Sequence, residues 1–204
     1  MITSGNDFGS DCAPEEMTTI DPAELLSMWI PAAGTSAPLL MALSTVGTDG
    51  YPRLRHVLLS EFAGGAVYFH TDARSAKVAE IEATPRAAAS VAWPHLGRQF
   101  TLHGDVSRAD SDEEKRIYAH RGRYLQLLAW LNDASMTALP ESARHDAWAR
   151  FDAEHPSLTP PADWVGYRII PTVITFWRGD PEGPSQRVRF TASSDGWRTE
   201  VLPG

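Results

Sequence analysis

Cysteine is nearly missing from this chain: Cys12 is the only one among 204 residues. That excludes a disulfide framework within one chain and a cysteine-based metal site. Basic charge is also scarce, with 18 Lys and Arg against 26 Asp and Glu and a net charge of −8 at pH 7. No basic stripe is left to neutralise phosphates in series, which argues against nucleic acid or an acidic membrane as partner. No apolar run reaches the roughly 20 residues that span a bilayer, and no basic segment followed by an apolar one opens the chain. A cytoplasmic protein without nucleic-acid or membrane partners is expected. His95, His103, His120 and His145 lack close ligand spacing with carboxylates, so no metal is expected.

What is present is ample apolar content, 43% of residues, enough for one core. Residues 1–19, rich in Ser, Gly, Asp and Glu, read as a flexible N-terminal tail, and residues 20–204 as a single domain. Asp21-Pro22-Ala23-Glu24 is a helix start with Asp at the N-cap, Pro at N1 and Glu at N3; Leu25, Leu26 and Trp29 supply its buried face and Pro31 its end. Leu39 to Val46 reads as a strand, Thr48-Asp49-Gly50 as a turn, and Arg53 to Leu59 as the next strand. Gly64-Gly65 then turns the chain into Ala66 to Phe69. After a helix ending near Thr84-Pro85, two more strands are expected over Ala87 to Trp93 and Gln99 to Val106.

Three helices follow. Ser111-Asp112-Glu113-Glu114 reads as a capping box opening a helix toward His120, Tyr124 to Leu131 as a second, and Pro140 to Phe151 as a third. The Pro-rich segment 156–161 returns the chain to strands at Tyr167 to Ile170, Val173 to Trp177, Val188 to Thr191 and Trp197 to Val201. Strands before and after an inserted helical block predict an α+β fold, mainly β, built on an antiparallel sheet or barrel.

The stretch Arg55 to Lys77 carries the chemistry. Arg53, Arg55 and Val57 share one strand face, Leu54, His56 and Leu58 the other. An arginine there needs an acidic partner, and the nearby sequence offers few. Beyond His70 the chain enters a polar corner, Thr71-Asp72-Ala73-Arg74-Ser75, where Ser75 or Asp72 can cap a helix with Val78, Ala79 and Ile81 at helical spacing. Helix-start N–H groups with the Ser75 hydroxyl and the Lys77 ammonium form a seat for a phosphate.

These residues carry a resemblance to the pyridoxamine/pyridoxine 5′-phosphate oxidase family and its FMN-binding split barrel. It extends from about Asp21 to Pro203. It rests on Arg55-His56-Val57-Leu58-Leu59, the Thr71 to Lys77 corner, Arg98-Gln99, Gln126 with Ala129-Trp130, and Trp164-Val165-Gly166-Tyr167-Arg168. Phe176-Trp177, Arg187 to Phe190 and Asp195-Gly196-Trp197 complete the ordered set. The resemblance implies an antiparallel split β-barrel with peripheral helices, and a homodimer with FMN at the subunit interface. Arg55, His56, Val57 and Leu58 would line the flavin, and His70, Thr71, Ser75 and Lys77 would surround its phosphate end. Gln99, Ser135, Trp177 and Arg187 match further cofactor positions.

The chain also departs from the family pattern. Ala76 stands where a second phosphate arginine is usual, His70 where an aromatic hydroxyl is usual, and Ala134 where a glutamine is usual. At substrate positions Ser60 replaces a lysine, Ile117 a tyrosine, Leu125 a serine, and Gly183-Pro184-Ser185 the Arg-x-His segment; of the phosphate grip Arg121 remains. The substrate-facing set is therefore Arg121, Ser60 and Ser185. One arginine is too little for a phosphate dianion in a partly desolvated pocket. The expected activity is FMN-dependent two-electron oxidation of a small organic substrate other than pyridoxine or pyridoxamine 5′-phosphate, with dioxygen as acceptor and no catalytic side chain named. The alternatives are a reductase using flavin or F420, and a non-catalytic split barrel binding flavin, pyridoxal phosphate or haem.

Overall fold

The computed structural model describes residues 17–30 and 39–204; Pro31, expected to end the first helix, lies outside them. The helix α1 (Pro22–Trp29) starts as its sequence dictates: the Asp21 carboxylate accepts from the N–H groups of Ala23 and Glu24, Pro22 occupies the first turn, and Leu25, Leu26 and Trp29 are buried. Met17, within the stretch read as tail, is also buried against the core.

Eight antiparallel strands follow: β1 (Leu39–Val46), β2 (Pro52–Ala63), β3 (Ala66–Asp72), β4 (Arg86–Trp93), β5 (Arg98–Arg108), β6 (Trp164–Arg178), β7 (Gln186–Ser193) and β8 (Gly196–Leu202). They lie in the order β3-β2-β1-β4-β5-β6-β7-β8, and β3 pairs with β6 as well. That extra pairing closes the first six strands into a barrel and leaves β7 and β8 as an extension. The fold is thus the expected split barrel. β6 makes the split possible because its first half pairs with β3 over Val67↔Ile169 to Asp72↔Trp164, while its second half pairs with β7.

Two expected strands, Tyr167 to Ile170 and Val173 to Trp177, are one. Pro171 has no N–H to give a ladder and reads as a break, yet it sits at a bulge between His103 and Gly104 of β5, where pairing is already interrupted. Gly104 permits the close approach there: a Cβ on it would lie 1.9 Å from the Ile170 carbonyl oxygen.

Side chains alternate in and out along β4 and β5, and the inward set of Leu43, Phe69, Phe100, Leu102, Ile174, Phe176 and Phe190 fills the core. Trp29 of α1 packs edge-on against Phe176 at 5.1 Å and plugs one end. α2 (Ala76–Ala83) lies between β3 and β4; α3 (Ser111–His120), α4 (Arg123–Leu131), the short α5 (Ala134–Thr137) and α6 (Glu141–Glu154) lie between β5 and β6. The capping box expected at Ser111 is not formed. Asp110 is the N-cap, accepting from the N–H groups of Asp112 and Glu113. The Glu113 and Glu114 side chains are buried against the barrel, where they serve other partners.

Candidate functional site

A cleft of about 730 Å³ opens where β2, β3, the start of α2 and the α3–α5 block meet. Its size falls within the roughly 300–1,000 Å³ usual for small-molecule sites. Arg55, His56, Val57, Leu58, His70, Thr71, Ser75, Lys77 and Arg121 all line it. Residues up to 66 positions apart in sequence therefore share one wall because β2 pairs with β3 and the helical block folds back over them.

The polar corner closes in on Lys77. Its ammonium donates to Thr71 Oγ1 at 2.9 Å, and the Thr71 and Ser75 hydroxyls are 3.3 Å apart. Ser75 is the N-cap residue of α2, but its hydroxyl makes no capping bond, so the helix start faces the cleft without a side-chain cap. Burial, then the nearby Arg55 charge, pushes the Lys77 pKa below its usual 10.5. Among the described residues no carboxylate pairs with it. Asp72 is occupied instead by Arg74, whose Nη2 lies 2.7 Å from Asp72 Oδ2 and whose Nε lies 3.5 Å from Asp163. Arg74 lines the same cleft and was not among the sequence-derived residues.

Arg55 does have an acidic partner. Its Nη2 donates to Glu80 Oε2 at 2.5 Å, and its Nη1 donates to Thr45 Oγ1. The sequence held the signal: Glu80 lies three residues after Lys77, a spacing that puts the two on one helical face. At the other wall, Arg121 lies over the Trp164 ring at 4.9 Å. Burial lowers its pKa to about 10, and among the described residues it has no carboxylate within ion-pair distance. Leu125, Leu128 and Ala129 provide apolar surface beside it.

His70 stacks on Trp164 with ring centres 4.4 Å apart. Its Nδ1 meets Ser60 Oγ at 2.7 Å, and its Nε2 meets Glu113 Oε2 at 3.1 Å. Ser60 is thereby turned to the imidazole, and it does not line the cleft. Ser135 does not line it either, because its hydroxyl donates to Asp133 Oδ1 at 2.7 Å; its neighbours Asp133 and Ala134 do. Ser185 lies in the β6–β7 loop, away from the cleft. Gln99, Trp177 and Arg187 are also elsewhere. They form one cross-strand row on β5, β6 and β7, with Gln99↔Trp177 and Trp177↔Arg187 in direct register. Arg187 borders a second depression on the outer sheet face, beside Ser44, Ser90 and Thr175.

In this split barrel one cleft carries two partly desolvated cations without carboxylate partners among the described residues, a charge arrangement suited to a small anion. The comparisons sharpen this. Residues 32–155 match the model of the pyridoxamine 5′-phosphate oxidase family, and residues 164–203 match the pyridoxine 5′-phosphate oxidase C-terminal dimerisation region. The chain is 34% identical over 194 residues to the pyridoxine/pyridoxamine 5′-phosphate oxidase of Caulobacter vibrioides, covering 93% of this chain and 87% of that one. It is 31% identical over 189 residues to the enzyme of the same name from Acidothermus cellulolyticus, covering 89% and 84%.

Among solved structures, PhzG from Burkholderia lata in complex with tetrahydrophenazine-1-carboxylic acid superposes with a TM-score of 0.79 at 23% identity, covering 96% of this chain and 99% of that one. A pyridoxamine 5′-phosphate oxidase-related, FMN-binding protein from Nostoc punctiforme gives 0.66 at 20%, covering 81% and 88%. At those identities the structures speak for the fold. The chain belongs to the pyridoxamine 5′-phosphate oxidase family, a family of FMN-binding oxidoreductases.

The residues present fit such a cofactor. A half-buried ammonium with a hydroxyl partner, beside an uncapped helix start, has no carboxylate paired with it among the described residues. Val57 and Leu58 of β2 add apolar surface along the same wall. Among the described residues no cluster of His, Cys, Asp or Glu suits a metal, and no helix is long and apolar enough to cross a membrane.

Proposed function

We propose that this chain is a homodimeric FMN-dependent oxidoreductase that removes two electrons from a small, flat, largely apolar substrate bearing one anionic group, with dioxygen as acceptor. The observation that carries this reading is the pair of desolvated cations, Lys77 and Arg121, lining one cleft without carboxylate partners.

Lys77, Thr71, Ser75 and Arg55 hold the cofactor phosphate, while Val57 and Leu58 support the ring system. Bound FMN supplies the capacity to accept a hydride equivalent and pass it on. The protein's own part is to bind, orient and exclude water. Gln99, Trp177 and Arg187 are too far round the barrel to reach the cleft of their own chain, and the C-terminal part of the chain matches a dimerisation region. In the dimer this row completes the partner's site.

Arg121 orients the substrate. A single guanidinium suits a carboxylate, bound through two parallel N–H donors. The apolar surface of Leu125, Leu128 and Trp164 suits a ring system. Ser60, bonded to His70, adds no cation for a phosphate dianion, and Ser185 is remote. The relative from Burkholderia lata, crystallised with a tricyclic carboxylic acid, is consistent with this substrate class.

The test is to purify the protein without added flavin, record its visible spectrum and identify the released cofactor. Peroxide release is then followed with aromatic carboxylic acids and with pyridoxine and pyridoxamine 5′-phosphate. Bound FMN with turnover of a carboxylic acid supports the reading. Protein that takes no FMN at saturation, or that prefers the phosphorylated vitamers, overturns it.

A further inference from the structure

Glu80 is a buried carboxylate next to a site meant for an anion, an arrangement that on charge alone opposes binding. Its surroundings give it a task. Glu80 Oε2 accepts from Thr45 Oγ1 at 2.5 Å and from Arg55 Nη2 at 2.5 Å, and Arg55 Nη1 closes the ring by donating to Thr45 Oγ1. β1, β2 and α2 are joined at this one point. The Glu80 and Arg55 side chains are 10% and 23% exposed, so the contact is held largely out of water. Arg55 nevertheless lines the cleft; a guanidinium has five N–H donors, and this network engages only some of them.

We infer that Glu80, with Thr45, is a positioning residue that aims the Arg55 guanidinium into the cleft for the cofactor phosphate; this rests on the reading of the cleft as an FMN site. Arg55 and Lys77 are like charges close enough for Arg55 to depress the Lys77 pKa, and Glu80 acts in the opposite sense on Lys77. Without an anchor, mutual repulsion and a flexible stem would let Arg55 swing to solvent. With it, both cations stay on one wall. Glu80 is also one helical turn beyond Lys77, so the same bond that orients Arg55 fixes the rotation of α2 that presents Lys77.

The test turns on a sign. If Glu80 were only a nearby negative charge, Glu80→Gln would tighten FMN; if it positions Arg55, the same change weakens it. FMN is titrated into full-length apoprotein at fixed ionic strength, following quenching of flavin fluorescence, for wild type, Glu80→Gln, Arg55→Met and the double variant. The apoprotein melting midpoint is recorded beside each. Glu80→Gln should weaken FMN about tenfold, the scale of one charge-assisted hydrogen bond. The double variant should match Arg55→Met alone, because both changes remove one unit.

FMN affinity unchanged or raised in Glu80→Gln, or losses that add in the double variant, overturns the inference while leaving the FMN reading intact. A wild type that binds no FMN overturns both. If Glu80→Gln fails to fold, Thr45→Val decides: weaker FMN at an unchanged melting midpoint supports positioning, and unchanged FMN refutes it.

Discussion

Ser60 Oγ and His70 Nδ1 face each other across β2 and β3 at 2.7 Å. On its other side the imidazole meets Glu113 of α3 at 3.1 Å, and it stacks on Trp164 of β6. Glu113 Oε1 is buried without a hydrogen-bond partner among the described residues, so the carboxylate relies on its contact with His70 through Oε2. Ser60→Ala should cost about 1 kcal/mol, and His70→Phe about 1–3 kcal/mol because it strands a buried carboxylate. Urea denaturation measures both. The double variant should cost less than the two summed; additive losses would mean that Ser60 and His70 are independent.

The bulge that lets β6 run through Pro171 depends on Gly104. A methyl group there would meet the Ile170 carbonyl oxygen at 1.9 Å, and that atom belongs to the backbone. Gly104→Ala should destabilise the protein by more than about 2 kcal/mol, with the midpoint of chemical denaturation as the readout.

Lys77→Met should weaken FMN by about 10–100-fold, the worth of a charge-assisted bond, while raising apoprotein stability. The sign follows from linkage. The folded-state pKa of Lys77 is depressed below 10.5, so the charged form is disfavoured in the apoprotein. That cost is present in full below the depressed pKa and fades as pH rises to 10.5. FMN affinity in the wild type should fall over the same alkaline window as the ammonium loses its proton. Fluorescence titration at several pH values checks this, and Lys77→Met should lack that alkaline limb.

Arg121 behaves alike at higher pH. Burial lowers its pKa to about 10 in the fold, so its destabilising charge persists below about pH 10 and fades as pH rises above that. Arg121→Met should stabilise the apoprotein at pH 7 by on the order of 1 kcal/mol, as expected on removing a partly desolvated cation that has the Trp164 ring but no carboxylate beside it. It should also abolish the flavin spectral change produced by an aromatic carboxylic acid. Retention of that change would place the substrate anion elsewhere.

Subunit mixing tests the shared site. Lys77→Met and Arg187→Ala homodimers should each bind FMN poorly. After subunit exchange, half the dimers are mixed and each has one intact site, restoring about a quarter of full FMN binding in a two-fold dimer. No recovery would mean that Lys77 and Arg187 do not serve the same site across the interface.

Much of the architecture was legible because it is local. The Asp21 cap and the bounds of β1 follow from spacing and side-chain chemistry within a few residues. Thr71, Ser75 and Lys77 also lie within one turn of chain, so their convergence on the cleft was readable. Local rules failed where a distant partner intervened. Pro171 reads as a strand break until the register shift opposite His103 and Gly104 of β5 is known. Glu114 completes a capping box on paper, but it accepts from the Gly166 N–H, 52 residues later in the chain.

By itself the amino-acid order determined most strand and helix segments and the polar corner from Thr71 to Lys77, all of which depend on periods of two and 3.6 residues and on nearest neighbours. Only the tertiary structure decided that Glu80 holds Arg55, that Ser60 serves His70, and that Arg121 stands desolvated on Trp164. Those relationships arise from barrel closure and from the docking of helices on its wall. Burial and pairing between residues far apart in the chain leave no periodic trace in sequence.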